Sequence, residues 1–217
     1  MLLTGFEGYG GRSVNPTAEI VKRLDGARIA GALVDGRALA VRYAELGPRI
    51  ARLIAELRPQ AVICLGLWPG EPMLRIERFA ANIADFEIAD NDGLLAREQA
   101  VEDGPDGYRS TLPIHAIRDR LLRAGVPARL SGTAGQFLCN ACMYHALHAC
   151  ARHASPPPCG FIHVPYLPQQ VALLLEDMRN TARVELHQRA DLCSMPLDMQ
   201  IEGVRLAIET TLEAAGA

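Results

Sequence analysis

Aromatic residues are scarce in this chain: Phe, Trp and Tyr together make up 5% of 217 residues, against a hydrophobic share of 49%. A core built from it must therefore be mostly Ala, Leu, Ile and Val. No apolar run approaches the ~20 residues that a membrane-crossing helix needs, so no membrane partner is expected. No block of Lys or Arg stands out either. The arginines are scattered among acidic residues, with a net charge of −3 and a pI near 6.1. That balance gives no support for nucleic acid as a partner. The opening "MLLTGFEGYGG" is too short and glycine-rich for a signal peptide and lacks its basic start. The six cysteines mostly fall inside apolar segments, not at loop staples. Reduced thiols and a cytoplasmic location are the expectation.

What is present alternates between strand-like and helix-like patterns, without internal repeats or a linker. "MLLTGF" reads as a buried first strand and "AVICLGL" as a strand covered on both faces. Asn15 and Pro16 form a helix start ahead of "TAEIVKRLDG". Ile50, Leu53, Ile54 and Leu57 recur at helical spacing, as do the apolar residues of "IHAIRDRLLRAG". "LRIERFAANIADFEI" reads as a strand pair or an extended excursion, and "AREQAVEDGPDGYRS" as an exposed loop. A short strand, "ARLSG", precedes the tight loop "TAGQF" and a helix from Leu138. "GFIHVPYLP" forms a strand, and a long helix with Pro196 near its start closes the chain. Residues 1–217 are thus expected to form one α/β domain: a three-layer α/β/α sandwich around a twisted, mostly parallel mixed sheet. Ligands in such folds bind beyond the carboxyl ends of strands. Here those ends carry "TGFEGYGG", "GLWPG", "SGTAGQF" and "HVPYLP".

The stretch "GQFLCNACMYHALHACARH" concentrates three cysteines and three histidines. Cys139, Cys142, His145 and His148 recur every third residue, which superficially suggests a metal site. On a helix that spacing spirals over roughly half the circumference and rises about 13 Å, so the four cannot converge on one ion. Cys142 and Cys150 read as buried small hydrophobes. Cys139 lies at the start of the helix, where unpaired N–H groups and the dipole lower a thiol pKa and can hold an oxyanion. A nucleophilic thiol there needs a base and an orienter. His163, near the end of an apolar strand, is open to a catalytic and to a buried structural reading. Glu77, taken alone, reads as a surface carboxylate.

Four segments, "TGFEGYGG…NPT", "IERFAAN", "TAGQFLCN" and "GFIHVPYLPQQ", closely resemble, in this order, the signature segments of the pyroglutamyl peptidase I (pyrrolidone-carboxylate peptidase) family. The resemblance runs from Leu2 to at least Gln170. It implies a cysteine peptidase that removes an N-terminal pyroglutamyl residue from peptides, with a triad carried onto Cys139, His163 and Glu77. It also implies a small lactam pocket lined by Phe6, Tyr9, Ile88, Phe137 and Leu138, no metal or cofactor, and a homotetramer. For Phe6, plain core packing is an equal alternative. Four departures stand out. Gly8 and Tyr9 replace the usual Pro and Phe of the first segment. Glu87 and Glu71 stand where arginines are typical, with Trp68 an unusual neighbour. A carboxylate at 87 near the thiol would disfavour the thiolate. Hydrolysis of another N-terminal acyl or cyclic amide, or a binding role without chemistry, therefore stays open.

Overall fold

The computed structural model describes residues 1–181 and 192–216. Its centre is a six-stranded sheet in the order β4-β1-β5-β10-β6-β9. The strands are β1 (Leu2–Phe6), β4 (Asp35–Leu39), β5 (Val62–Leu67), β6 (Leu74–Glu77), β9 (Ala128–Ser131) and β10 (Cys159–Val164). The first four in spatial order run parallel; β6 meets β10 antiparallel, and β9 follows β6. The sheet is therefore mixed and mostly parallel, as the sequence predicts. Every residue of β1, β5 and β10 is buried, which explains the unbroken apolar run of β5 and the largely apolar β1 and β10, interrupted only by Thr4 and His163.

Helices cover both faces. On one side α2 (Tyr43–Leu57) and α4 (Leu138–Ala151) pack together over Leu2, Phe6, Cys64 and Phe161. On the other, α1 (Pro16–Leu24), α3 (Ile114–Arg123) and α6 (Leu197–Gly216) cover Leu3, Ile63, Leu74, Ile76 and Ile162. Each fully buried Leu or Ile contributes about 1.5–3 kcal/mol of transfer free energy. Asn15 caps α1 as expected, its side chain accepting from Thr17 N at 3.1 Å. Leu57, placed on the buried face of α2 by spacing, lies at its edge and is 36% exposed.

Two short two-stranded antiparallel sheets complete the strands among the described residues. β2 (Arg28–Ile29) pairs with β3 (Ala32–Leu33), and β7 (Phe79–Ala81) with β8 (Gly107–Arg109). β8 lies within the segment read as an exposed loop. A further helix, α5 (Pro168–Thr181), follows β10, and the sequence reading did not contain it. No helix among the described residues is long and apolar enough to cross a membrane.

The reversal at β6 decides what the sheet presents to α4. Ile162 pairs with Ile76 and His163 with Arg75. Side chains alternate between faces along a strand, so Leu74 and Ile76 enter one core while Arg75 and Glu77 face the other, beside His163. The loop after β9 is not at the same sheet end as those after β5 and β10, because β9 runs the opposite way. It turns back toward them, bringing Gly135 against the Trp68 ring.

Candidate active site

Cys139 is the second residue of α4. The first turn of that helix has no side-chain cap, so its leading N–H groups are free of such a partner. The sulfur points down onto the sheet at Gly66. A Cβ built at Gly66 would come within 2.7 Å of Cys139 Sγ and 2.7 Å of the Phe161 ring. Gly66 is paired in register with His163. The bare glycine thus makes the opening through which the helix-borne thiol approaches the strand-borne imidazole. No feature of the apolar run "AVICLGL" marks Gly66 for this role.

His163 is fully buried, and its Nδ1 lies 2.8 Å from Glu77 Oε1. Against the expectation of a surface carboxylate, Glu77 is also fully buried. Its burial is compensated by Arg75, whose Nε donates to the same Oε1 at 2.9 Å. A carboxylate can only accept, so His163 Nδ1 carries the proton in this contact. The neutral ring then leaves Nε2 as an acceptor, and Nε2 is buried with no partner in the described structure. Trp68 meets the imidazole edge-on at 4.9 Å.

Electrostatics corrects one expectation. Burial, then the Glu77 charge, then Cys64, push the Cys139 thiol up to about 12, not down. Burial also lowers the His163 pKa below its ordinary value, against the opposing pull of Glu77. The resting pair is therefore a neutral thiol and a neutral imidazole. Glu87 is exposed at the rim of the adjoining cavity and is not among the groups that raise the thiol. Glu71 is buried and held by Arg129 through two contacts, at 3.0 and 2.5 Å.

Beside the thiol lies a cavity of about 540 Å³ whose lining includes Phe6, Tyr9, Ile88, Phe137, Leu138, Cys139 and His163. All five residues assigned to the pocket by resemblance thus reach it, though Ile88 sits at the rim, 50% exposed. Phe6 is 4% exposed and also belongs to the core. Tyr9 and Phe86 pack on the Phe137 ring at 6.2 and 4.8 Å. Sequence reasoning missed the share of Asn15, Val41, Leu67 and Thr133 in this lining.

Asn140, next to the thiol, is fully buried and accepts from Ala81 N while donating to the carbonyls of Ala81 and Ile83. It ties the start of α4 to the segment that carries Glu87 and Ile88. The other histidines lie elsewhere. His145 packs on Gly47, His148 Nδ1 lies 3.0 Å from the Tyr108 hydroxyl, and His115 is exposed; His187 lies outside the described residues. All six cysteines are unbridged. No group of three His, Cys, Asp or Glu side chains among the described residues is placed to hold a metal ion.

This arrangement of a half-buried thiol with a buried imidazole and carboxylate beside an apolar cavity can be set against known proteins. A family model described as pyroglutamyl peptidase matches residues 1–214. The chain belongs to the pyroglutamyl peptidase family. It is 40% identical over 214 residues to the pyrrolidone-carboxylate peptidase of Pyrococcus furiosus, covering 98% of each chain. It is 42% identical over 213 residues to pyrrolidone-carboxylate peptidase 1 of Ralstonia nicotianae, covering 98% of this chain and 92% of that one. Among solved structures, pyrrolidone carboxyl peptidase from Thermococcus litoralis superposes with a TM-score of 0.90 at 38% identity, covering 99% and 94% of the two chains. A mutant of the Pyrococcus furiosus peptidase gives 0.89 at 40% identity, covering 99% and 98%. The α/β fold expected from the alternation of strand and helix patterns is thus shared with these peptidases over nearly the whole length.

Proposed function

We propose that the protein is a cysteine exopeptidase that removes an N-terminal pyroglutamyl residue from peptides, with Cys139 as nucleophile, His163 as base and Glu77 as its orienter. One observation carries the reading: His163, its Nδ1 fixed on Glu77 and its buried Nε2 without a partner, lines the same cavity as Cys139, whose sulfur lies at Gly66, the register partner of His163. The cavity's lining suits the substrate, since a pyroglutamyl ring is small and mostly apolar and Phe6, Tyr9, Phe137 and Leu138 offer aromatic and aliphatic surface. Ile88 would meet the substrate at the rim. The chain is read as a single domain over residues 1–217, acting in the cytoplasm as a homotetramer.

The chemistry follows from two neutral partners. As Cys139 Sγ attacks the pyroglutamyl carbonyl, its proton passes to His163 Nε2, and the imidazolium is held by Glu77. The uncapped N–H groups of the first turn of α4 stabilise the oxyanion. His163 then returns the proton to the leaving amine as the tetrahedral species collapses to a thioester. Water, activated by the same imidazole, hydrolyses the thioester to free pyroglutamate and thiol.

The test is hydrolysis of a pyroglutamyl fluorogenic amide by the folded wild-type chain, with Cys139→Ala and His163→Asn alongside. The wild type should turn over and both variants should lose at least ~10³-fold in kcat. Folded wild-type protein with no turnover above buffer removes the substrate assignment, and activity retained by Cys139→Ala removes the nucleophile.

A further inference from the structure

A buried ion network lies beneath the proposed base. Arg75 is 6% exposed, yet its guanidinium makes a full set of contacts. Nε donates to Glu77 at 2.9 Å, and Nη2 donates to Ser131 Oγ and to the Thr133 carbonyl, both at 2.8 Å. Nη1 lies 3.6 Å from Glu71, and the Trp68 ring covers Cζ at 3.7 Å. Glu71 is in turn clamped by Arg129. Glu77 Oε2 is buried without a partner, so the carboxylate is held through Oε1 alone, the oxygen that Arg75 shares with His163.

We propose that Arg75 is a positioning residue that acts through Glu77, sharing this carboxylate with His163 and so setting how readily the imidazole takes the thiol proton. The inference rests on the triad reading above and extends it to a residue that touches neither substrate nor sulfur.

The charges that act on His163 are Glu77 and Arg75 on β6 and Glu71 on the preceding loop, and Arg129 on β9 pairs with Glu71. The neutral Cys139 thiol on α4 meets the sheet at Gly66, the register partner of His163. Two carboxylates oppose two guanidiniums, so the network is neutral before His163 binds a proton. An imidazolium is then surplus charge in a buried site, and it forms only when the departing thiol proton creates a compensating anion. Remove Arg75, and the network carries one negative charge that a protonated His163 would neutralise at rest. Removing Glu71 has the opposite sign, weakened because the Arg129 side chain is 44% exposed and partly screened by water. Arg75 also holds the Thr133 carbonyl, and hence the loop before Cys139, so activity loss alone would not separate charge from structure.

Two readouts make the separation. The first is the acid limb of kcat/KM against pH for wild type, Arg75→Met and Arg75→Lys. The second is the NMR titration of the His163 ring in the Cys139→Ala background, which needs no turnover. Arg75→Met should raise the half-point of both by about one pH unit, Arg75→Lys should restore it, and Glu71→Gln should lower it by a smaller amount. A folded Arg75→Met protein that loses activity with both half-points unmoved overturns the proposal and leaves Arg75 a structural support. So does a Lys variant that fails to restore the half-point. If Arg75→Met does not fold, Glu71→Gln decides, and an unmoved or raised half-point refutes the proposal. Because the titration is read on an inactive variant, it stands even where the hydrolysis assay rejects the triad or the substrate.

Discussion

Gly66→Ala is the sharpest single test of how sheet and helix meet at this site. The added Cβ would lie 2.7 Å from Cys139 Sγ and 2.7 and 2.9 Å from two Phe161 ring carbons. Ordinary contact begins near ~3.5 Å, so sulfur and ring must each retreat by about 0.8 Å or the strand must shift. The strand has little freedom, since β5 lies in the sheet interior between β1 and β10. Displacing a reacting atom by this much costs about a hundredfold in rate, equivalent to ~2.7 kcal/mol of transition-state stabilisation. Overpacking adds about 1–3 kcal/mol of lost stability. The assay is hydrolysis of a pyroglutamyl fluorogenic amide with a urea unfolding curve on the same protein. kcat should fall about a hundredfold with KM changed much less, because the remaining cavity walls are untouched. Phe161→Leu added to Gly66→Ala removes the ring carbons but not the sulfur contact, so it should recover stability without recovering kcat. A folded Gly66→Ala enzyme within about threefold of wild-type kcat would refute the claim that this gap sets the thiol's position.

Half-buried His145 and buried His163 both have pKa values lowered from 6.5, chiefly by loss of solvent. Such a group binds its proton more readily when unfolded. Stability should therefore hold above pH 6.5 and fall as pH drops toward the folded values, by at most about 1.4 kcal/mol per unit for each histidine. Urea midpoints at pH 7.5 and 5.5 check this, and His163→Asn should flatten the slope. Asn140→Ala removes three hydrogen bonds from a fully buried site. It should cost about 2–4 kcal/mol in the unfolding curve and raise KM, because the tether to the rim segment is lost. Unchanged KM in a destabilised variant would confine Asn140 to a packing role.

Where one periodicity dominated, the sequence was readable. The unbroken apolar run of β5 read as a strand covered on both faces, the apolar segments of β1 and β10 as strands, and Asn15-Pro16 as a helix start. Cys139 was visible because a small-residue loop feeds it into a helix start. The β6 segment was harder for a physical reason. "LRIE" alternates apolar and charged residues, which ordinarily means one face in water. Here Arg75 and Glu77 neutralise one another, so the charged face is also buried, and Glu77 gave no local sign of it. Two sequence distances were also invisible: the antiparallel entry of β6 that sets Arg75 against His163, and the return of the β9 loop toward Trp68. Pro168 was the available signal for α5, but that helix buries only Gln170, so its apolar pattern is weak.

The thiol shows why position on a helix does not by itself settle reactivity. A helix N-terminus supplies roughly 0.3–1 kcal/mol to a nearby anion, up to ~2 in buried geometry, which lowers a thiol pKa by about one unit. Burial, with Glu77 and Cys64, instead carries Cys139 to about 12. Burial is the larger effect, so the site keeps no standing thiolate at neutral pH. In the proposed mechanism the nucleophile exists only while His163 holds the proton, and its supply depends on the basicity of one nitrogen. That basicity is set by Glu77, and Glu77 is divided between His163 and Arg75 through a single oxygen. The rate of this site is thus tied to a charge balance on the sheet side of the imidazole, away from the substrate cavity. Residues that never meet the peptide, Arg75 and Glu71 foremost, are where its pH response is decided.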